Sequence, residues 1–428
     1  MIVPTLIHRL SVLRSLQNRS FALLWLGQTC SSLGDGAFTI ALAWEVLLLT
    51  GSATAMGLVV MAEMLPRLIF LLLGGVAADR LPRLRILLFS DVGRGAIVLL
   101  ITLLGWLHVL QFWHLIALSL LFGVAAGFFH PAYRSLTPQV VEHDHLASAN
   151  ALTAFSRDIS TLLGPALGAG IVALVGPMGA FAFDGLSFVF SAGCLFAMRP
   201  LVVSSQREAA KDSLEKTSAT PPLKGILDDL HEGWRFVVHS PWFFIGLPLA
   251  TLGNIFFSGP LEVALPKLVQ TAYHADIWLF GVLGMALALG SILASLLLGQ
   301  LRHIPKRGTM MYGAVALASC AELLLGLSIP QAYAPWLAIF ANTTVGFGLG
   351  TFGIIWVTLM QELVPKELLG RVSSIDQLGA WSLLPLGYAL TGVATDRFGP
   401  SIVFLVAGSG NILLALIALI IPANRRME

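Results

Sequence analysis

The chain has 428 residues, of which 57% are hydrophobic and 11% are charged, and its formal net charge is +2. A soluble domain of this length cannot bury so much apolar sequence, and a net charge this small does not indicate nucleic-acid binding. The composition predicts a protein with many membrane spans, in which the three cysteines, all within apolar runs, are packing residues.

A helix needs about 20 predominantly apolar residues to cross the hydrocarbon core of a bilayer. Segments of this kind follow one another along the whole chain, which predicts an all-α polytopic membrane protein. The expected twelve transmembrane spans are, in chain order, 21–49, 52–77, 86–109, 112–134, 151–175, 178–199, 242–270, 276–300, 308–329, 334–358, 373–395 and 401–421.

A polar stretch at 200–241 separates the sixth span from the seventh. Its second half repeats apolar residues at helical spacing, which predicts an amphipathic helix along the membrane surface. These residues are Leu223, Leu227, Leu230, Trp234 and Val237. We therefore expect an N-terminal six-helix bundle over 1–199, a cytoplasmic linker over 200–241 and a C-terminal six-helix bundle over 242–428.

Basic residues accumulate on the cytoplasmic side of membrane proteins. With both termini cytoplasmic, most of the 25 lysines and arginines fall in predicted cytoplasmic segments, among which we count Arg94 and Arg157. Lys267 and Arg397 fall near the outer face. The sequence thus predicts a multi-pass, monomeric protein of the plasma or inner membrane with both ends inside.

The two halves of the chain align at a single offset of 223 residues (305 − 82), which pairs Pro82 with Pro305. Other residues paired by this offset are Gly123 with Gly346, Gly127 with Gly350, Gly176 with Gly399 and Pro177 with Pro400. One register running through most of the spans predicts two parallel six-helix repeats. Parallel repeats of this kind are typical of secondary transporters whose substrate site lies near the bilayer midplane.

Polar residues form a stripe along span 1. Gln28, Ser32, Asp35 and Thr39 recur at intervals of four, three and four, which places them on one face of a helix with Asp35 near mid-bilayer. A carboxylate inside a span is costly and usually functional, so we expect Asp35 to carry a coupling proton. Ser32 and Thr39 can equally serve to join helices.

A matching stripe is predicted in span 7, which carries Asn254, Ser258 and Glu262. Because Glu262 is the acid of this second stripe, it is the rival to Asp35 as the proton carrier. Together, the two stripes are expected to line a cavity for substrate.

Other charged residues fall inside the spans. Glu63 and Arg67 are four residues apart in span 2, which predicts either a structural ion pair or a substrate contact. Asp184 in span 6 and Glu322 in span 9 are expected to be packing or interface residues. The tetrapeptide EHDH at 142–145 does not predict a metal site, because no second cluster of ligands accompanies it.

The stretch GGVAADRLPRLR at 74–85 concentrates charge in the turn between spans 2 and 3. Its bases hold the turn on the cytoplasmic side, and Asp79 can pair with a base or with the backbone of a neighbouring helix end. We expect this cluster to lock one conformation of a carrier, although a pure topology signal is the alternative. The residues of the expected lock are Gly75, Asp79, Arg80 and Arg83.

This stretch resembles the loop motif of the major facilitator superfamily, with Pro82 in place of the usual glycine and Leu84 in place of the final base. GPALGAG at 164–170 is similar to the antiporter motif of that superfamily, carried here by Gly164, Pro165 and Gly168. Further segments look like its 12-span drug:proton antiporter branch, which includes macrolide and enterobactin exporters. These segments are TGSATAMGLV, SDVGRG, HPAYRSLTPQVV, ANAL and EGWRFV.

The resemblance implies a secondary active exporter of amphipathic or hydrophobic small molecules, driven by protons and working by alternating access. The chain has no glycine-rich phosphate loop followed by lysine and a hydroxyl residue, so direct use of ATP is not expected, and neither a cofactor nor an enzymatic reaction is expected. Lysophospholipid or lipid transport, solute import, and a membrane sensor without transport remain alternatives at this point.

Overall fold

The computed structural model describes residues 11–141, 145–212, 232–301, 304, 306–327, 330–365 and 368–425. Regular structure within these ranges is helical throughout. The spans are Arg19–Thr50 (span 1), Ala53–Arg80 (span 2), Arg83–Trp106 (span 3), Phe112–Val140 (span 4), Leu146–Val175 (span 5), Pro177–Asp212 (span 6), Pro241–Gly259 with its continuation (span 7), Ile277–Gly299 (span 8), Arg307–Gly326 (span 9), Ala334–Leu363 (span 10), Leu369–Ser382 with Leu384–Phe398 (span 11) and Pro400–Ile420 (span 12).

Among the described residues, 11 helices are long and apolar enough to cross a membrane. Span 11 is the exception, because the structure divides it at Leu383 where the sequence predicts one helix over 373–395. Pro385 explains the division: it has no N–H to donate to the carbonyl of Trp381, so the helical ladder fails there. Counting the two pieces as one span, the fold has the twelve helices expected from the sequence.

Span 7 is also irregular. It runs as an α-helix over Pro241–Gly259, as a π-helix over Pro260–Ala264 and again as an α-helix over Leu265–Thr271. Prolines at 260 and 266 each remove one backbone donor, which explains why the α-helical ladder changes register here.

The chain folds as two units. The N-terminal unit comprises Met1–Glu45 and Ala62–Thr217, and the C-terminal unit comprises Val46–Met61 and Ser218–Glu428. Each unit has its own apolar core, built in the first around Phe21 and Leu87 and in the second around Phe243 and Trp356. Residues 213–231 of the linker lie outside the described residues, whereas 232–239 is helical and buries Val237 in the C-terminal core.

The two units repeat the same packing. A Cβ at Gly123 of span 4 would collide with the backbone of Glu63 in span 2, and a Cβ at Gly346 of span 10 would collide with the backbone of Leu287 in span 8. The small residues therefore let the fourth helix of each repeat touch the second. The sequence repeat corresponds to a structural one.

The turns that enter spans 6 and 12 are also equivalent. Gly176 and Gly399 have φ angles of +79° and +87°, a conformation open to glycine, and each is followed by a proline that begins the next helix. A single residue thus connects spans 5 and 6, and another connects spans 11 and 12.

Asp396 caps the N-terminal end of span 2, and this end belongs to the C-terminal unit. Its carboxylate accepts hydrogen bonds from the hydroxyl of Ser52 (2.6 Å) and from the N–H groups of Ala53 (2.9 Å) and Thr54 (2.8 Å). It also accepts one from Nζ of Lys267 at 2.5 Å.

Asp396→Asn is expected to destabilise the protein by about 1–2 kcal/mol at neutral pH, because it removes an anion from a helix N-terminus. The hydrogen bonds to Asp396 stabilise the folded state while its carboxylate is ionised, and this effect is lost as a falling pH protonates it. The difference in melting temperature between the variant and the wild type should therefore shrink below about pH 4. Arg397→Gln, an exposed neighbour, is the control, and a difference that is constant from neutral pH to pH 3 contradicts this role.

Candidate transport site

An open cavity of about 300 Å³ lies between spans 1 and 5 of the N-terminal unit. Three residues of the span 1 stripe, Ser32, Asp35 and Thr39, line it. Span 5 contributes Arg157, Ser160, Thr161 and Pro165 to the facing wall. Asp35 is half-buried, and its side chain forms part of the cavity wall.

Glycines bring these two helices together. A Cβ at Gly164 would lie 2.9 Å from Cα of Gly36, and a Cβ at Gly168 would lie 2.7 Å from Cα of Ala37. Pro165 has no N–H, which leaves the carbonyl of Thr161, one turn before it, without its helical donor. The GPALGAG segment therefore packs span 5 directly beside Asp35 and leaves a backbone acceptor on the cavity side.

An ion pair lies deep in span 3. Nη2 of Arg94 contacts Oδ1 of Asp91 at 2.5 Å, and the guanidinium carbon of Arg94 lies 4.3 Å and 4.4 Å from the ring centroids of Phe129 and Phe188. Asp91 is fully buried and Arg94 is 6% exposed. The prediction that Arg94 belongs to a cytoplasmic segment is therefore wrong. Arg94 lies three positions after Asp91 on the same face of the helix, and the two side chains form a pair that is buried inside the bundle.

A polar chain links this pair to span 1. The amide of Gln28 donates to the hydroxyl of Ser191 at 3.1 Å, and that hydroxyl donates to Oδ2 of Asp91 at 2.6 Å. Gln28 therefore belongs to the interior network of the unit, whereas the other members of its stripe line the cavity.

Glu63 and Arg67 form the ion pair that their spacing predicts, with 3.9 Å between Nη1 and Oε1. Arg67 also contacts Nε2 of His130 in span 4 at 3.0 Å. Both arginines of the unit interior, Arg67 and Arg94, interact electrostatically with Asp35. The cavity acid thus belongs to a wider set of interacting charges.

Asp184 and Glu322 are fully buried, as residues that pack helices together are. A Cβ at Gly34 would collide with Oδ1 of Asp184, so this acid packs against span 1 beside Asp35. The carboxylate of Glu322 faces the side chain of Asn411 in span 12. Both acids therefore have a polar neighbour inside their bundle, Ser187 for Asp184 and Asn411 for Glu322.

The predicted stripe of span 7 is spread over different surroundings. Asn254 donates to the carbonyl of Ala380 at 3.1 Å and lines a small cavity of about 40 Å³ in the C-terminal unit. Ser258 is half-buried, and Glu262 is exposed on the π-helical segment. A helix that changes register after Gly259 does not keep one continuous polar face.

In the turn between spans 2 and 3, Arg83 donates to the carbonyls of Ala78 (3.1 Å) and Ser135 (3.3 Å), which ties the end of span 2 to span 4. Arg80 is exposed, and nothing lies within 4 Å of a Cβ built on Gly75. The side chain of Asp79 lies outside the described part of the chain. So do Glu142, His143 and Asp144, and the described residues contain no cluster of metal-ligating side chains.

The family model of the Major Facilitator Superfamily matches residues 24–385. The multidrug efflux pump Tap of Mycobacterium tuberculosis is 29% identical over 427 residues, covering 96% of both chains. The macrolide efflux protein A of Streptococcus pyogenes is 21% identical, covering 95% of this chain and 97% of its own. A D-xylose-proton symporter structure superposes with a TM-score of 0.70 at 14% identity, over 95% of this chain and 99% of the other. With its two six-helix repeats and a match over most of its length, this chain belongs to the major facilitator superfamily of membrane transporters.

Proposed function

We propose that this transporter exports amphipathic small molecules in exchange for protons. The observation that carries the proposal is the placement of Asp35, a titratable group within a span, on the wall of an open cavity of about 300 Å³. A group that faces the cavity can bind either a proton or a cargo molecule, which is the minimum requirement for exchange. The names of the relatives, a multidrug efflux pump and a macrolide efflux protein, support export of such cargo.

In this proposal the protein works in the cell membrane as a single chain with both termini in the cytoplasm, and alternating access arises from its two repeats. Gln28, Ser32 and Asp35 serve the N-terminal side of the mechanism. Asn254, Ser258 and Glu262 serve the C-terminal side, and the Glu63–Arg67 pair adjusts the charge around Asp35. Arg83 and its neighbours in the loop motif stabilise one conformation.

The purified protein in liposomes with an acidic lumen provides the test. We expect inward accumulation of amphipathic probes, for which we would use a radiolabelled macrolide, ethidium and tetramethylrhodamine. Accumulation is measured above that of protein-free liposomes with the same gradient, because an acidic lumen traps weak bases such as a macrolide without a transporter. This excess should disappear when an ionophore that exchanges protons for potassium removes the pH gradient. Equal accumulation with and without the gradient contradicts proton exchange, and no accumulation of any probe contradicts export of this class of cargo.

A further inference from the structure

The cavity beside Asp35 carries opposite charges on its two walls. Asp35 lies on span 1 and Arg157 lies on span 5. Hydroxyl groups of Ser32, Ser160 and Thr161 line the same cavity. The hydroxyl of Ser160 is buried and has no hydrogen-bond partner among the described residues. A cavity with this lining offers an anion, a cation and neutral hydrogen-bonding groups to one ligand.

Both charges are available to a ligand. Arg157 makes one weak ion pair, 3.8 Å from Nε to the carboxylate of the adjacent Asp158, and the two side chains are 77% and 57% exposed. An exposed pair at such a distance contributes little, so it does not hold the guanidinium away from other anions. No basic side chain among the described residues lies within ion-pair distance of Asp35, which leaves its carboxylate facing the cavity.

We propose that this cavity binds zwitterionic amphipathic molecules, with the cationic group of the ligand at Asp35 and its anionic group at Arg157. A ligand with one positive charge is attracted by Asp35 but repelled by Arg157. A ligand with one negative charge is attracted by Arg157 but repelled by Asp35. A zwitterion satisfies both walls at once, and Ile40 and Pro165 provide apolar contacts for its body. The inference rests on the proposed function, because it takes this cavity as a cargo site.

Arg157 is therefore a specificity-determining residue in this proposal. From the sequence alone it is counted only among the cytoplasmic basic residues that set the topology. In the structure it is the twelfth residue of the helix Leu146–Val175 (157 − 146 + 1 = 12), two turns before Pro165 of the GPALGAG segment. Its charge lies in the span, on the same helix face as the cavity lining.

A matched pair of fluorescent probes separates the two charge requirements. Tetramethylrhodamine is a zwitterion, and its methyl ester is a monocation with the same ring system. We would measure the equilibrium binding of each probe to the purified full-length protein by fluorescence anisotropy. The wild type should bind tetramethylrhodamine about tenfold more tightly than the ester, because one charge-assisted contact is lost in the ester.

Three variants complete the experiment. Arg157→Gln should remove the preference by weakening tetramethylrhodamine binding about tenfold while ester binding stays equal or improves. Arg157→Lys should keep most of the preference, and Arg199→Gln, an exposed arginine of span 6 away from the cavity, should keep all of it. A wild type without the preference, or an Arg157→Gln variant that retains it or loses both probes equally, overturns the proposal.

The binding experiment tests the zwitterion site and the flux experiment tests proton exchange, so either hypothesis can be refuted without the other. A charge preference without gradient-driven flux refutes proton exchange and leaves the zwitterion site standing. Gradient-driven flux of any probe without the charge preference refutes the zwitterion site and leaves the exchange mechanism standing.

Discussion

Asp91→Asn is expected to lower the free energy of unfolding by about 3–5 kcal/mol, because it removes the partner of a buried cation. The guanidinium cation of Arg94 is only 6% exposed. The rings of Phe129 and Phe188 stabilise the guanidinium, but cation–π contacts of about 1–2 kcal/mol each do not replace an ionic partner. The melting temperature of the purified protein should fall by roughly 5 °C.

The double variant Asp91→Asn with Arg94→Met should recover most of this loss, since neither charge then remains in the interior. Arg85→Met, an exposed arginine on the same helix, is the matched control and should change stability by less than about 0.5 kcal/mol. A single Asp91→Asn variant that melts with the wild type would show that Arg94 finds another partner or reaches water. Recovery in the double variant would establish that the charge, rather than the shape of the side chain, is responsible.

Asp35→Asn should abolish the response of transport to a pH gradient. Asparagine keeps the size of the side chain and its hydrogen bonding but cannot take up or release a proton. In liposomes with an acidic lumen, accumulation of the macrolide should fall to the level seen without a gradient. Equilibrium binding of an uncharged amphipathic probe to the variant should stay near that of the wild type, which separates lost coupling from lost folding.

Glu262→Gln is the comparison for Asp35→Asn, because Glu262 is the acid in the matching segment of span 7. We expect it to change affinity or substrate range while the response to the gradient persists. Normal coupling in Asp35→Asn with loss in Glu262→Gln would transfer the proton to span 7. Normal coupling in both variants would exclude both acids as the proton carrier.

Much of the architecture follows from sequence periodicity alone. Long apolar runs of about 20 residues locate the helices because the bilayer fixes their length, and the offset of 223 residues (305 − 82) locates the repeat. The spacing of Ser32, Asp35 and Thr39 places them on one face, and the structure brings them to one cavity. These predictions work because helix geometry converts spacing into position without any knowledge of the neighbours.

Contacts that depend on a partner helix could not be predicted in this way. The interior position of Arg94 was missed because the charge bias of loops was applied to a residue inside a span; opposite charges at 91 and 94 in the segment SDVGRG were the available signal. The contacts of Arg83 with two backbone carbonyls depend on where span 4 ends, which no spacing within the turn specifies. The division of span 11 follows from Pro385, which is visible in the sequence. The prediction of one helix over 373–395 relies on the length of the apolar run and gives this proline no weight.

The interruptions in spans 7 and 11 make the two repeats unequal in stiffness. Span 1 is one unbroken helix over Arg19–Thr50, and span 5 stays helical over Leu146–Val175 although Pro165 removes one donor from it. Their counterparts are interrupted more severely, by a π-helix that begins at Pro260 and by a break at Leu383. Missing backbone hydrogen bonds are where a helix bends most easily. Bending during the transport cycle should therefore concentrate in the C-terminal repeat. Amide hydrogen exchange should be faster around Leu383 than around Ser160, the equivalent residue of the first repeat (383 − 223 = 160), because span 5 has no comparable break.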